Sequence, residues 1–408
     1  MSARPTLSKP EFIALTAMLF STIALSIDAM LPALPEIAAE LTPASPNLAQ
    51  LIVTSFVLGM GVGTLFTGPL ADAVGRRRVI VGGAVLYIVG ALLAWRAGSL
   101  ELLLAARFVQ GLGAAGPRIA AMAIIRDLFE GREMAQLVSL MMMVFALVPA
   151  LAPAMGAGII AVAGWRGIFL AFCVFSVVSV IWLMLRQPET LTEERRRPFR
   201  PAKLKEGFVE VVSHPMVRLC LLALVLTFGA LFSVLVTAQP IFDVTFGQGA
   251  NFHWWFMLIA VIGAMGNLAN AKIVMIWGMR QVALAAFVAQ AAGAGVMVLI
   301  SLFGDLGAVW ALYAYVGWAA LNFTVLGFTI GNINAIAMSP MGHMAGMAAS
   351  ILGSMSTVGA VLVAVPLGLA FDGTPLPVAI GILGCAGAAI FIVWGLRDPD
   401  PTPIKEPL

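Results

Sequence analysis

Charge is what this sequence lacks most. Only 11% of its 408 residues are Asp, Glu, Lys or Arg, against about 25% in soluble domains. Apolar residues make up 61%, more than a water-facing globule can hide, since much of any globular surface must meet solvent. A soluble fold is therefore excluded, and the solvent for most of the chain is lipid. Cysteine is scarce too. Cys173, Cys220 and Cys385 lie in separate apolar runs, with neither a metal-ligand spacing nor a disulfide framework. They read as small apolar packing residues. His214, His253 and His343 are equally scattered, so no metal site is expected. No G-x-x-x-x-G-K-[ST] loop occurs and no catalytic constellation stands out, which argues against an ATP-driven pump or an enzyme. No cleavable leader is expected: the first apolar run, 12–34, is too long for a signal h-region and shows no clear cleavage site.

What is present is a series of apolar runs of membrane-spanning length. Twelve are predicted, at roughly 11–34, 48–71, 79–97, 100–125, 135–162, 166–186, 216–242, 253–276, 280–303, 306–334, 344–370 and 377–396. One long polar insert divides them six and six. The expectation is an all-α integral membrane protein, with twelve transmembrane helices in two six-helix bundles. Residues 1–190 form the first bundle, 191–214 a cytoplasmic linker, and 215–408 the second. In the linker, Leu204, Phe208 and Val211 share one helical face, which predicts an amphipathic helix on the membrane surface. Basic residues set the orientation. With the N-terminus inside, Arg76, Arg77, Arg78, Arg126, Arg132, the linker cluster, Arg280, Arg397 and Lys405 are all internal. Outer connections are acid-rich, with Glu36, Glu40, Glu101, Asp243, Asp305 and Asp372 beside Arg96 and Arg166. Both termini are thus expected in the cytoplasm. Arg107 and Arg118 fit neither side.

The turn after the second span reads "GPLADAVGRRRVIVGG". Asp72 ends an apolar helix, where an acid opposes the negative end of the helix dipole and needs a cationic partner. Gly75 permits a tight turn. A charge cluster beside a helix end can act as a latch, and it also anchors the inner surface. This turn resembles the signature between spans 2 and 3 of the major facilitator superfamily, with Gly68, Asp72, Gly75, Arg76 and Arg77 on its positions and Ala73 where an arginine often stands. "RFVQG" in span 4 resembles the arginine motif of drug:proton antiporters. "VPALAPAMGAGI" in span 5 resembles their antiporter motif, carried here by Pro149, Pro153 and Gly156. "SIDAMLPALPEIAAEL", "IIRDLFEGREMAQLVSLMMM", "PETLTEERR" and "HMAGMAASILG" are similar to the Bcr/CflA group of bacterial drug exporters. The resemblance implies proton-coupled antiport in the bacterial inner membrane, by a monomer that takes a small-molecule substrate and protons in a lipid bilayer. It implies no cofactor and no nucleic-acid partner. The second half departs more: "NAKIVMIWGMRQ" keeps a Gly-x-Arg but has Met275 where the first half has Asp72.

The core of the chain contains few charges. Asp28 is the one carboxylate well inside an apolar span, four residues before Pro32. At about 1.5 Å per residue it lies at a depth similar to Arg107 in span 4, and an ion pair or near-pair would offset the cost of both. Burial favours a neutral acid and a nearby arginine favours its carboxylate, so such a group can switch with conformation. That is what proton coupling requires; a structural salt bridge is the plainer reading. The resemblance implies the same coupling roles for Asp28 and Arg107. Arg118 has no counterpart in the group. It follows Arg107 by eleven residues, which returns to within about 20° of the same helix face, with Gln110, Gly111 and Ala114 between. Pro117 removes a helical hydrogen bond and frees the carbonyl of Gly113. Arg118 is a candidate for binding an anionic substrate group; snorkelling is the alternative. Weaker substrate candidates are Gln110, Ser21, Asn267 and Asn322, for which interhelical hydrogen bonding is the commoner role. Two function classes remain: a proton-coupled exporter of small amphipathic molecules, and a transporter for a specific anionic metabolite.

Overall fold

The computed structural model of the chain describes residues 7–196 and 198–396. Helices account for nearly all of them, and no strand occurs among the described residues. Helix α1 (Lys9–Asp28) ends where Pro32 cannot donate to the Asp28 carbonyl four residues back. A 3-10 turn, Leu31–Ala33, leads into the short α2 (Leu34–Leu41). Then come α3 (Leu51–Val74) and α4 (Arg76–Trp95), separated by Gly75 alone. Helix α5 (Leu100–Leu128) starts at Ser99, whose Oγ accepts the Leu102 N–H at 3.3 Å. It continues unbroken through Pro117. Helix α6 covers Gly131–Arg186, and the linker helix α7 covers Pro201–Ser213. The second half holds α8 (Pro215–Pro240), α9 (Phe252–Trp277), α10 (Met279–Phe303), α11 (Val309–Met338), α12 (Ala345–Leu369) and α13 (Leu376–Trp394).

Ten stretches among the described residues are long and apolar enough to cross a membrane. Two of them, Gly131–Arg186 and Val309–Leu369, have 56 and 61 residues, far beyond the ~20 that one crossing needs. Each contains a break. Gly164 has φ 65° and ψ 178° inside α6, and the 3-10 turn Ser339–Met344 separates α11 from α12. Each is long enough to hold two crossings, one on either side of its break.

Helices α1 to α6 pack chiefly on one another, as do α8 to α13; α3 against α12 and α6 against α9 join the two sets. Close approach depends on missing side chains. A Cβ on Gly111 would meet the Phe56 carbonyl of α3, and one on Gly156 would meet the backbone of Ala29. One end of the molecule, the linker face, holds the α3–α4 turn, α7, and ion pairs Lys9–Glu133 and Glu11–Arg186, each at 2.7 Å. At the opposite face Arg166 pairs with Glu40 at 2.7 Å. There Asn47 Nδ2 donates to the carbonyls of Leu369 and Phe371, at 3.1 and 2.7 Å, closing the two sets of helices together.

Helix α7 corrects one expectation. Its packed stripe is Leu204, Gly207 and Val211, while Phe208 is exposed. That stripe meets protein: Gly207 lies on Met344 and Met347, and Glu210 Oε1 is 2.7 Å from His343 Nε2. Arg397 and Lys405, both expected on the inner side, lie outside the described residues.

Candidate functional site

Asp28 is 5% exposed and Arg107 fully buried, yet no hydrogen bond or ion pair joins them. The expected pair is absent because backbone carbonyls satisfy the guanidinium. Arg107 Nη2 donates to the Ser26 carbonyl of α1 at 2.9 Å, and Nε to the Ile52 carbonyl of α3 at 3.3 Å. Nη1 donates to Gln110 Oε1 at 2.6 Å, and the guanidinium lies 4.4 Å from the Phe56 ring. Ser26 Oγ in turn is 2.6 Å from Tyr87 Oη of α4. One arginine thus ties α1, α3 and α5 together two residues from Asp28. The Asp28 carboxylate has no hydrogen-bond or ion-pair partner among the described residues. It closes α1 beside the Ala29–Gly156 contact, so α6 packs on the chain just past it. Pro149 and Pro153 sit in α6 about two turns and one turn before that contact, Pro153 buried.

Arg118 stands apart. It is exposed although it lies in the apolar body of α5, and it has no hydrogen bond or ion pair among the described residues. Pro117 beside it faces α4, with its Cδ close to Gly83. The Gly113 carbonyl fits where Gly83 lacks a Cβ, so the proline shapes a helix contact.

The linker-face turn is a charge network. Arg76 Nη1 bonds Asp72 Oδ1, one helical turn back, and Arg76 Nε donates to Asp127 Oδ2 of α5 at 3.1 Å. Thr190 Oγ1 donates to the same Asp127 oxygen at 2.8 Å. Glu189 caps α4 from a distance: its two carboxylate oxygens accept the backbone N–H groups of Arg76 and Arg77 at 3.0 and 3.1 Å. Arg77 Nη2 donates to the Met184 carbonyl at 2.8 Å. Gly75, at φ 107°, has no room for a Cβ beside Glu189. Across the helix sets, Gly68 lies on Ser350 Oγ of α12, where a Cβ would come within 2.8 Å. Sequence reasoning missed Glu189, Thr190 and Asp127. The only signal was the "PET" tripeptide after an apolar helix, which says nothing about a partner 113 residues away.

Other predicted residues divide clearly. Gln110 is fully buried and engaged by Arg107, with its Nε2 unpartnered. Ser21 Oγ donates within its own helix to the Ala17 carbonyl at 2.7 Å. Asn322 is not free to meet a substrate: its Oδ1 accepts from Gln290 Nε2 at 2.9 Å and its Nδ2 donates to the Trp318 carbonyl at 2.8 Å. Asn332 similarly reaches Asn270 at 2.9 Å. Asn267 is exposed with no hydrogen bond among the described residues. Arg126, expected as a surface anchor beside Asp127, has no hydrogen bond or ion pair among the described residues and lines a cavity of about 600 Å³ at the linker face. Among the described residues no group of His, Cys, Asp or Glu could hold a metal ion.

A sequence profile described as the Major Facilitator Superfamily matches residues 14–364. A bicyclomycin resistance protein homolog of Haemophilus influenzae is 27% identical over 374 residues, spanning 91% of this chain and 92% of its own length. The multidrug resistance protein MdtL of Citrobacter koseri is 27% identical over 378 residues, again 91% and 92%. Among solved structures, the inward open conformation of the xylose transporter XylE from E. coli superposes with a TM-score of 0.75 at 14% identity, covering 97% of this chain and 98% of that one. At that identity the likeness speaks for the fold.

Proposed function

Because the chain belongs to the Major Facilitator Superfamily, we propose that it is a proton-coupled exporter of drugs or other small amphipathic molecules, working by alternating access. It is a multi-pass membrane transporter, not an enzyme. The observation that carries the coupling is Asp28: a buried carboxylate, in a span, that no group among the described residues neutralises. Gaining or losing a proton there changes the buried charge by one, and buried charge in a membrane protein strongly biases conformation. Arg107 is the neighbouring fixed charge. Through the Ser26 carbonyl it holds the end of α1, so a proton on Asp28 and the position of α1 are mechanically linked. The relatives named for bicyclomycin and multidrug resistance support export as the direction and drugs as the cargo.

In this reading residues 1–190 and 215–408 are the two rocking bundles and 191–214 their linker, in the inner membrane of a bacterium with both termini in the cytoplasm, acting as a monomer. The Asp72–Arg76–Asp127 network is the gating turn. Rocking would open and close the α3–α12 contact at Gly68 and Ser350. A second reading, a transporter specific for one small anionic metabolite, is favoured by the unpartnered Arg118 alone. The test is purified protein in liposomes under an imposed pH gradient, with neutral and cationic drugs as cargo. Uphill drug movement driven by the gradient is expected. Drug fluxes identical with and without the gradient would refute proton coupling.

A further inference from the structure

We propose that the preferred cargo carries an anionic group on an apolar body, and that Arg118 receives that group after it passes a basic vestibule on the linker face. This rests on the transport reading above and names its substrate class.

Arg118 sits ten residues before the end of α5, about 15 Å along the helix from the linker face. It lies within about 20° of Arg107 and Gly111 on that helix. Arg107 reaches α1 and α3, and Gly111 backs on α3. Arg118 therefore belongs to the side of α5 that is turned away from α4. Arg107 and Gly111 are buried on that side, whereas Arg118, nearer the linker face, is exposed. An arginine in a membrane span is costly unless paired, and here no group among the described residues accepts from its five donors. Their planar fork matches a carboxylate, phosphate or sulfonate.

The approach to it is charged in the same sense. The linker-face cavity of about 600 Å³ is lined by Arg76, Arg126, Arg200, Lys203 and His343. Its one carboxylate, Asp72, is already bound by Arg76. Arg126, Arg200 and Lys203 have no hydrogen bond or ion pair among the described residues. Between the cations lie Ile119, Phe199, Leu204, Met344 and Met347, apolar surface for the body of the molecule. On α5 the cavity is lined by Ile119, Ala123 and Arg126; Arg118 lies one residue beyond Ile119, about 100° round the helix, so a molecule in the cavity has one further step to reach it. The volume suits a drug-sized molecule. Energetics agree: with the linker face inside a negative cell, an anion leaving and a proton arriving both run down the potential. At about 100 mV each charge is worth roughly fiftyfold in accumulation.

The test uses dansylglycine and dansylglycinamide, which differ only by carboxylate against carboxamide. Binding to the purified transporter is read by dansyl fluorescence, and transport in liposomes by a pH gradient with the potential clamped. The wild type should bind dansylglycine roughly tenfold more tightly than the amide, the scale of a charge-assisted hydrogen bond. Arg118→Gln should erase that preference and leave the amide unchanged, while Arg118→Lys keeps part of it. The double variant Arg200→Gln/Lys203→Gln should slow dansylglycine association and flatten its salt dependence. Equal wild-type binding of the two probes overturns the proposal, as does an Arg118→Gln variant that weakens both alike. Arg118-dependent binding of dansylglycine without gradient-driven movement of either probe would leave the anion site standing and refute the transport reading instead.

Discussion

Single glycines join two pairs of helices on the linker face: Gly75 between α3 and α4, Gly278 between α9 and α10. Their backbones nearly match, at φ 107°, ψ 154° and φ 79°, ψ 158°. Their surroundings do not. Around Gly75 stand Asp72, Arg76, Asp127, Glu189 and Thr190, bonded into one network. Around Gly278, Met275 replaces the acid, and Arg280 donates only to the carbonyls of Val393 and Trp394 at the end of α13, at 3.3 and 2.9 Å. The cores of the two halves differ in the same way. The first holds Asp28, Arg107 and Arg118; the second holds neutral amide pairs, Gln290–Asn322 and Asn270–Asn332. One half carries groups whose charge can change or attract charge. The other uses polarity to hold helices together.

The difference can be broken by substitution in matched pairs. The largest effect should follow Arg107→Ala, which strands the Ser26 and Ile52 carbonyls and Gln110 in the interior. A loss of about 3–5 kcal/mol is expected, read as a fall in thermal unfolding temperature and loss of transport; a variant as stable as wild type would contradict the tie. Arg76→Ala should cost less, about 1–3 kcal/mol, because Asp72 and Asp127 are partly exposed. Its counterpart Arg280→Ala should leave gradient-driven transport intact, and equal transport defects in the two would erase the distinction between the turns. Gly75→Ala and Gly278→Ala share a backbone cost of about 1–3 kcal/mol. Only the first also pushes against Glu189, whereas Gly278 has open space. The excess destabilisation of Gly75→Ala over Gly278→Ala should shrink in a Glu189→Ala background. The smallest effect is expected from Asn322→Leu, about 0.6 kcal/mol as for other interhelical bonds in membranes, with cargo selectivity unchanged.

The break inside α6 was readable because hydropathy needs no partner information: the gap predicted between 162 and 166 contains Gly164. The first predicted run, 11–34, passes over the end of α1 at Asp28, which the nearby Pro32 accounts for. Pairing was not readable. A rise of 1.5 Å per residue fixes depth, so it placed Asp28 and Arg107 at similar levels but could not show that the carbonyls of Ser26 and Ile52 satisfy the guanidinium first. Backbone acceptors exist at every residue and leave no mark in sequence. The cap that Glu189 makes on α4 is invisible for a related reason: its partners are two N–H groups, which any residue but proline supplies. For α7 the amphipathic pattern was real, but Gly207 gave no apolar signal and proved to be the point of closest packing. Arg118 was legible as an anomaly, since an arginine in an apolar span needs a reason.

Whether Asp28 couples protons to cargo movement is read most directly from Asp28→Asn in liposomes. Two fluxes are measured on the same preparation with a drug the wild type carries: accumulation driven by a pH gradient, and exchange of labelled for unlabelled drug with no gradient. Asp28→Asn is expected to lose the accumulation and keep the exchange. Undiminished accumulation by Asp28→Asn would contradict the coupling.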